Sequence, residues 1–376
     1  PSKVLGAVVA VGPAEPRLRL VRGTPAARAA GALGVAGALA VATVPAFVLP
    51  ALESRLWTEL IATAVALWGL SLLLGPAGQL SLGHSAFLGA GAYSTAVFAS
   101  RYGWSPLVGL VLAGLVGLLV GCLVGLPAMR IRGQYLAMVT FGLAVAFPMV
   151  IQRFSWFTGG TSGPPPIGLP PPSWLPLPEG RPQLWLHLIT VGVALATALA
   201  LASLQRSAVG RAISASAEND TAAVSMGVDA VRTKTLAFGV SALIAAVAGG
   251  LLGLHTQAVT TESFDVQRAL VLYGAAVFGG VYGRLGGIFG AALIVGVPWL
   301  TARNGWDVDE NLVFGVLLIA GTAAFPDGIA PILGRVTSRL FGVVEGPPAP
   351  PGGGGAPARA QGAAEPAVAV RSAPLR

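Results

Sequence analysis

Long apolar segments recur along most of the chain and restrict the folds open to it. Ten such segments alternate with short polar ones, at residues 29–49, 57–74, 88–99, 106–126, 134–151, 184–204, 236–254, 269–281, 285–300 and 312–324. A helix that crosses the roughly 30 Å bilayer core needs about 20 apolar residues. Charged residues make up only 10% of the chain, against roughly 25% in soluble domains. The sequence therefore predicts an all-α polytopic membrane protein of about ten transmembrane helices.

The two termini differ in composition from the membrane segments. Residues 1–28 form a basic, Pro/Gly-rich arm, and residues 331–376 are first basic and then rich in Gly, Pro and Ala. Both stretches are too poor in core-forming residues to fold, so we expect them to be disordered around a transmembrane domain at 29–330. We expect no signal peptide before the first span, because the arm is polar and interrupted by proline. The single cysteine, Cys122, excludes an internal disulfide framework.

The basic residues indicate which side of the membrane each loop occupies. With the N-terminus inside and ten crossings, 17 of the 23 Lys and Arg residues fall on the inner side. This bias follows the positive-inside rule, so the net charge of +8 is not a nucleic-acid signal and no nucleic-acid partner is predicted. Segment 269–281 is short for a crossing, and a re-entrant segment there stays open because it would reverse the side of all later loops.

The longest charged segment between apolar blocks, residues 205–235, falls on the cytoplasmic side in this arrangement. Asn219 or Asp220 can cap the start of a short helix, Gly227 can end it, and Asp229 can cap the helix that follows. One apolar face at helical spacing is expected from Val209, Ala212, Ile213 and Ala217. The pattern alone fits equally well a site for a driving partner and an amphipathic element that anchors two spans.

The chain carries no recognisable energy source of its own. The predicted span cores contain no Asp, Glu, Lys or Arg, while Glu59, His187 and His255 fall at predicted span edges. Ion-coupled carriers usually keep ionisable groups at depth. Neither Lys3 nor Lys234 follows a glycine, so the chain lacks a nucleotide-binding GxxxxGK[ST] loop. Because no catalytic constellation is present either, we predict a non-enzyme without a cofactor of its own, driven through a partner if it transports actively.

Two polar segments interrupt the apolar pattern. Residues 75–87 carry helix-breaking glycines and the polar side chains of Gln79, Ser81, His84 and Ser85. Broken helices at membrane depth line cavities or are buried in protein, so these residues predict either a translocation pathway or a tight turn between packed helices. Segment 158–163 reads TGGTSG, and Thr158, Gly159, Gly160 and Thr161 predict either an external mouth or an ordinary flexible loop.

Several sequence blocks resemble one family of membrane proteins. These blocks are GPAGQLSLGHSAFLGAGAY at 75–93, RIRGQYLAMVTFGLA at 130–144, FTGGTSGPPPIGL at 157–169, GRAISASAENDTAAVSMGVDAVRTKTLAF at 210–238, VFGGVYGRLGGIFGAAL at 277–293 and LVFGVLLIAGTAAFPDGI at 312–329. Together they resemble the branched-chain amino acid permeases of ABC importers, in the second (M-type) of the two permease types. The resemblance covers most of residues 57–330, whereas the terminal arm and tail lie outside it.

The resemblance implies a function and a set of partners. It implies an importer of leucine, isoleucine or valine in a bacterial plasma (inner) membrane, moving by alternating access. The implied partners are a second related permease, two cytoplasmic ATPases that bind the ATP, and an extracytoplasmic substrate-binding protein. The implied ATPase-coupling positions are Gly210, Arg211, Glu218, Ala222, Ala223 and Gly227. An importer of urea or short-chain amides and an ATP-independent channel or facilitator stay open as alternatives.

Overall fold

Helices dominate the computed structural model, which describes residues 18–21, 25–128, 134–173, 178, 181–306, 309–325, 328–332 and 341–344. The α-helices of this part of the chain are α1 (Pro25–Val48), α2 (Ala51–Leu74), α3 (His84–Tyr102), α4 (Pro106–Ala128), α5 (Gln134–Arg153), α6 (Ser155–Thr158), α7 (Gln183–Arg206), α8 (Ala208–Glu218), α9 (Asp220–Ser225), α10 (Ala230–Thr256), α11 (Val266–Gly279), α12 (Arg284–Asn304) and α13 (Glu310–Ala324). Two 3-10 helices, Gly160–Ser162 and Glu262–Phe264, lie in connecting loops.

Two short strands that are far apart in the sequence pair into a small sheet. Strand β1 (Leu18–Val21) pairs in parallel with strand β2 (Phe341–Val344), with Leu18 opposite Phe341. The predicted arm and tail also include residues 1–17, 22–24, 333–340 and 345–376, which lie outside the described residues.

The predicted class is confirmed, and the predicted number of spans is confirmed in part. Six helices are long and apolar enough to cross a membrane, namely α2, α4, α5, α7, α10 and α12. Gly34–Val48 of α1 and Asn311–Ala324 of α13 are shorter apolar helices. Helices α3 and α11 complete the ten long helices that correspond to the ten predicted segments, but α11 has only 14 residues.

Helices α2 and α10 form the centre of the bundle. In each of them 78% of the apolar window is buried, against 28% in α5. Helix α10 packs against α2, α3 and α4. Two glycines permit close contact with α3, because a Cβ at Gly249 would overlap the Leu88 carbonyl oxygen and one at Gly91 would overlap the Ala246 carbonyl oxygen. Small residues of this kind let helix backbones meet directly.

The bundle has two ends, which we call the α8–α9 end and the opposite end. At the α8–α9 end, a Cβ at Gly78 would lie 3.2 Å from the Ala217 side chain. At the opposite end, the Arg181 side chain donates a 3.0 Å hydrogen bond to the Phe47 carbonyl in the last turn of α1.

Helix α11 connects the two ends despite its length. Its N-cap, Asp265, follows the loop at the opposite end, and the Ile329 N–H bonds the Phe278 carbonyl (3.1 Å) after α13 has returned to the α8–α9 end. Fourteen residues span about 21 Å at 1.5 Å per residue, and the next residues extend this to Val281, whose carbonyl lies against Gly75. Within the described bundle α11 therefore runs from the opposite end towards the α8–α9 end and does not turn back on itself.

Two helices begin earlier in the sequence than the predicted spans, so that a charged residue lies further inside each helix than predicted. Helix α2 begins at Ala51 rather than at residue 57. Glu59 therefore lies roughly two turns inside the helix, and not at its edge as the sequence suggested. Arg268 is likewise part of α11, which begins at Val266.

Candidate functional site

The segment between α7 and α10 folds into two short helices held by three caps. The Ser207 hydroxyl accepts a hydrogen bond from the Gly210 N–H (3.1 Å) at the start of α8. The Asn219 side chain accepts one from the Ala222 N–H (3.1 Å) at the start of α9. The Asp229 carboxylate accepts one from the Arg232 N–H (3.0 Å) at the start of α10. The predicted stop at Gly227 is confirmed by its φ of +84°, which favours glycine.

The buried face of α8 differs from the face expected from the sequence. Gly210, Ile213 and Ser216 are buried, whereas Val209 is 42% exposed and Ala217 is also exposed. Of the four expected residues only Ile213 enters the core, because the face that meets α7 and α10 is chosen by close packing. A Cβ at Gly210 would overlap the Leu204 carbonyl oxygen, so a larger residue at this position would push α8 off α7.

The exposed face of α9 is the outermost part of this segment. Ala222, Glu218 and Gly227 are exposed, but Ala223 is 4% exposed and packs inward. Two apolar side chains that the sequence analysis did not single out stand out into solvent instead. Val224 is 58% exposed and Met226 is 85% exposed. Exposed apolar residues next to charged ones are typical of protein contact surfaces. We call residues 218–227 the α9 surface.

An ion pair and a side-chain hydrogen bond fasten this segment to the bundle. The Lys234 Nζ lies 2.6 Å from the Asp220 Oδ2 and joins α9 to α10. The guanidinium of Arg211 donates to the Arg206 carbonyl (3.1 Å) and joins α8 to the end of α7. A displacement of α8 or α9 would therefore reach α7 and α10 through direct contacts.

The connection between α2 and α3 packs between α8 and α5. The Gln79 N–H donates to the Leu73 carbonyl (2.8 Å), and Gly78 has a φ of +60°. The Leu82 N–H donates to the Thr140 hydroxyl of α5 (3.0 Å), and a Cβ at Gly83 would lie 2.8 Å from the Thr140 carbonyl oxygen. This connection thus touches α8 through Gly78 and α5 through Thr140.

His84 forms the centre of a buried polar junction between α2, α3 and α10. The Ser241 hydroxyl donates to the Gly69 carbonyl (2.5 Å), so the His84 Nε2 donates to Ser241 (2.9 Å). Its Nδ1 then accepts from the Ser81 hydroxyl (3.4 Å). The four predicted pathway residues, Gln79, Ser81, His84 and Ser85, are each no more than 4% exposed. None of them lines the cavities of 460, 470, 250 and 360 Å³, and their role in a pathway stays a prediction.

Segment 158–163 is a tight turn rather than a loose loop. Gly159, Gly160 and Gly163 all have φ between +68° and +83°. The Tyr93 hydroxyl of α3 donates to the Gly160 carbonyl (3.2 Å), and the Thr161 carbonyl accepts from the Thr261 N–H (3.3 Å). The Thr158 side chain is buried and donates to the Ile151 carbonyl (2.8 Å). Its role as an external mouth stays a prediction.

Most of the chain matches one known protein family. Residues 53–321 match the family described as branched-chain amino acid transport system / permease component. The matched region is well over half of the chain and contains α3 to α12 with the α8–α9 segment. The chain belongs to this permease family.

Individual relatives of this permease agree with the family match. It is 29% identical over 286 residues to the high-affinity branched-chain amino acid transport system permease protein LivM of Salmonella typhimurium (strain LT2). It is 28% identical over 286 residues to the protein of the same name from Escherichia coli (strain K12). Each alignment covers 70% of this chain and 66% of the relative. A probable branched-chain amino acid transport permease protein LivM of Methanocaldococcus jannaschii is 23% identical over 186 residues, or 47% of this chain and 52% of the relative.

The permease covers 66% of the length of the Salmonella and Escherichia relatives, just under two thirds, and 52% of the Methanocaldococcus relative. No solved structure matches it. The relatives support the M-type assignment made from the sequence blocks.

Proposed function

We propose that this permease is the membrane-spanning M-type subunit of an ATP-driven importer for branched-chain amino acids. The observation that carries the proposal is the α9 surface, which projects from the end of the bundle in a family of transport permeases. Its apolar side chains Val224 and Met226 are 58% and 85% exposed in the described part of the chain. They are suited to a groove on a cytoplasmic ATPase subunit, which would supply the ATP hydrolysis.

The proposed drive reaches the centre of the bundle in two steps. An ATPase that moves α9 pulls on α10 through the Asp220–Lys234 contact. Helix α10 packs against α2, α3 and α4, and the direct backbone contacts at Gly91 and Gly249 make α3 and α10 move together. Close-packed helices shift as rigid bodies because their interfaces do not deform continuously.

The proposed orientation follows from the charge bias, and the proposed partners follow from the family resemblance. The α8–α9 end faces the cytoplasm of a bacterium, the opposite end faces outward, and the N-terminus lies inside. A second, related permease would complete the membrane domain, and two ATPases would bind the α8–α9 ends. An extracytoplasmic substrate-binding protein would deliver the amino acid to the opposite end, where segment 158–163 and the neighbouring residues 259–261 lie.

The test begins with purification of the permease from its native membrane under mild conditions. We expect an ATPase subunit, a second permease and a binding protein to co-purify, and the complex in vesicles to take up leucine only when ATP is supplied with the binding protein. Uptake that persists without ATP would establish a facilitator. Competition by urea as strong as by isoleucine would establish the urea or amide importer.

A variant pair tests the α9 surface itself. Met226→Glu places a charge on the exposed contact, and we expect it to lower the amount of co-purified ATPase by roughly tenfold, the loss typical of a central interface residue. Arg232→Gln lowers the net charge by the same one unit on the first turn of α10, where Arg232 is paired with Asp229 (2.9 Å). This control should retain the ATPase. Equal retention by both variants would show that the α9 surface is not the docking site.

A further inference from the structure

A cavity of about 460 Å³ opens at the opposite end of the bundle, between α2, α10, α11, α12 and α13. Its volume lies within the roughly 300–1,000 Å³ range of small-molecule sites. None of the residues predicted for the pathway or the mouth lines it. The lining combines an apolar floor, from α10, α11, α12 and α13, with a charged side that includes Glu59 and Arg268.

The floor of the cavity is aliphatic. Leu252 of α10, and Ile294 and Val297 of α12, are buried and point branched side chains at the space. Val271 and Phe314 add two half-buried apolar side chains from α11 and α13. A ligand that fills this floor gains free energy by burying apolar surface, so a branched aliphatic group is suited to it.

Four charged residues line this side of the space, namely the acids Glu59, Glu262 and Asp265 and the base Arg268. The Glu59 carboxylate is 29% exposed and lies 3.7 Å from the His255 Nε2. The Arg268 guanidinium lies within electrostatic reach of Glu59 and Asp265. The Asp265 carboxylate already accepts from the Arg268 backbone N–H (2.9 Å) as the N-cap of α11, and Glu262 is exposed on its 3-10 helix. Glu59 and Arg268 are therefore the two opposite charges best placed for a ligand.

We infer that this cavity is an entry site for an α-amino acid with an apolar side chain, held as a zwitterion. The ligand ammonium group binds Glu59, the carboxylate binds Arg268, and the side chain rests on the aliphatic floor. This inference rests on the proposed function and gives it a location. It predicts selectivity against urea, because urea carries no charge for either residue and a charge-assisted hydrogen bond is roughly twice as strong as a neutral one.

The site is tested by photolabelling of the native complex in lipid nanodiscs with a leucine analogue that carries a diazirine in its side chain. We expect the label on α11, α12 or α13, next to Val271, Ile294 or Phe314. Leucine should remove the label. An amine without the carboxylate (3-methylbutylamine) and an acid without the ammonium group (4-methylpentanoate) should each need roughly tenfold more, the loss expected for one charged hydrogen bond.

Two variants with matched controls assign the charges. Glu59→Gln should abolish the preference for leucine over 4-methylpentanoate, and Arg268→Gln should abolish the preference over 3-methylbutylamine. The controls Glu53→Gln and Arg303→Gln remove charges of the same signs at the same end, where these two residues pair with each other (3.4 Å) outside the cavity. They should leave labelling unchanged. Arg268→Lys keeps the charge and should restore part of the preference, which separates a binding effect from misfolding.

Each outcome decides between the site and the function. ATP-driven leucine uptake with the label elsewhere, or with unchanged preferences in the Glu59 and Arg268 variants, overturns the site and leaves the importer intact. Leucine-protected labelling of the cavity without any ATP-driven uptake supports the site and overturns the importer. Neither uptake nor protected labelling in the unaltered complex overturns both.

Discussion

Lys234 and Asp220 form an ion pair with 2.6 Å between Nζ and Oδ2, and this pair is a direct side-chain link from α9 to α10. The two residues are 14 positions apart and belong to different helices. Because α10 is one of the two central helices of the bundle, the pair connects the exposed α9 surface to a largely buried helix.

Loss of this pair should loosen α9 without unfolding the bundle. Asp220→Asn removes the charge, and partly exposed pairs contribute up to about 1 kcal/mol, so amide hydrogen exchange in α9 should quicken by about fivefold. ATP-driven uptake should fall at unchanged abundance. Arg232→Ala is the control, because its pair with Asp229 is exposed (85% and 51%). Equal exchange in α9 for both variants would contradict the role of Lys234–Asp220 as the link.

Gly227 should tolerate a small residue that adopts the left-handed backbone conformation, but not a large residue. Its φ is +84° and an added Cβ would meet nothing within 4 Å, so a substitution costs only conformational free energy, about 1–2 kcal/mol for an ordinary residue. Gly227→Asn should keep uptake near normal, since Asn adopts this conformation most readily. Gly227→Trp should block ATP-driven uptake with the protein still in the membrane.

The control for this prediction lies at the opposite end. Gly103 also has a positive φ (+65°) and nothing within 4 Å of an added Cβ. Gly103→Trp therefore imposes a similar strain without a bulky group on the α9 surface, and uptake should persist. If Gly103→Trp and Gly227→Trp lose uptake equally, the effect is strain in the chain and not a blocked contact with a partner.

Gly249 should accept no side chain. A Cβ would overlap the Leu88 backbone oxygen, and α3 cannot retreat without breaking its packing on α10. We expect Gly249→Ala to lower the free energy of unfolding by about 1–3 kcal/mol, measured as thermal unfolding in detergent. Gly192→Ala in α7 meets nothing within 4 Å and should be neutral or stabilising by up to about 1 kcal/mol. Equal melting temperatures would contradict the close α3–α10 contact.

The junction of His84 and Ser241 should contribute to stability. His84→Ala leaves the Ser241 hydroxyl without its imidazole donor, and loss of a buried hydrogen-bond partner costs about 1–3 kcal/mol. Because His84 is buried, we expect the variant to have a lower melting temperature. At equal abundance in the membrane, its KM for leucine should be unchanged. A raised KM at unchanged stability would instead place His84 in the translocation pathway.

Local features of the candidate site were predictable because they depend on neighbouring residues. The caps at Asn219 and Asp229 and the stop at Gly227 each use side-chain or backbone chemistry within three residues. Asp229 and Gly227 were predicted, and Asn219 was one of the two predicted caps for α9. The inward face of α8 was not, since Ser216 is buried while the more apolar Val209 is exposed. Hydropathy ranks residues by their preference for water, but small residues enter this face because α8 packs closely on its neighbours.

The sequence alone determined the membrane class, the approximate number of helices, the family and the position of the α8–α9 segment, because apolar runs of about 20 residues, cap residues and sequence blocks each lie within one continuous stretch of the chain. The tertiary structure decided which distant groups meet. It brought His84 to Ser241 and placed Glu59 beside the same cavity as Arg268, 209 positions later. These contacts depend on how each helix is rotated and which helices pack together. Small residues such as Gly91 and Gly249 set that geometry, because they allow close packing between helices that are far apart in the sequence. A local sequence pattern does not predict such packing.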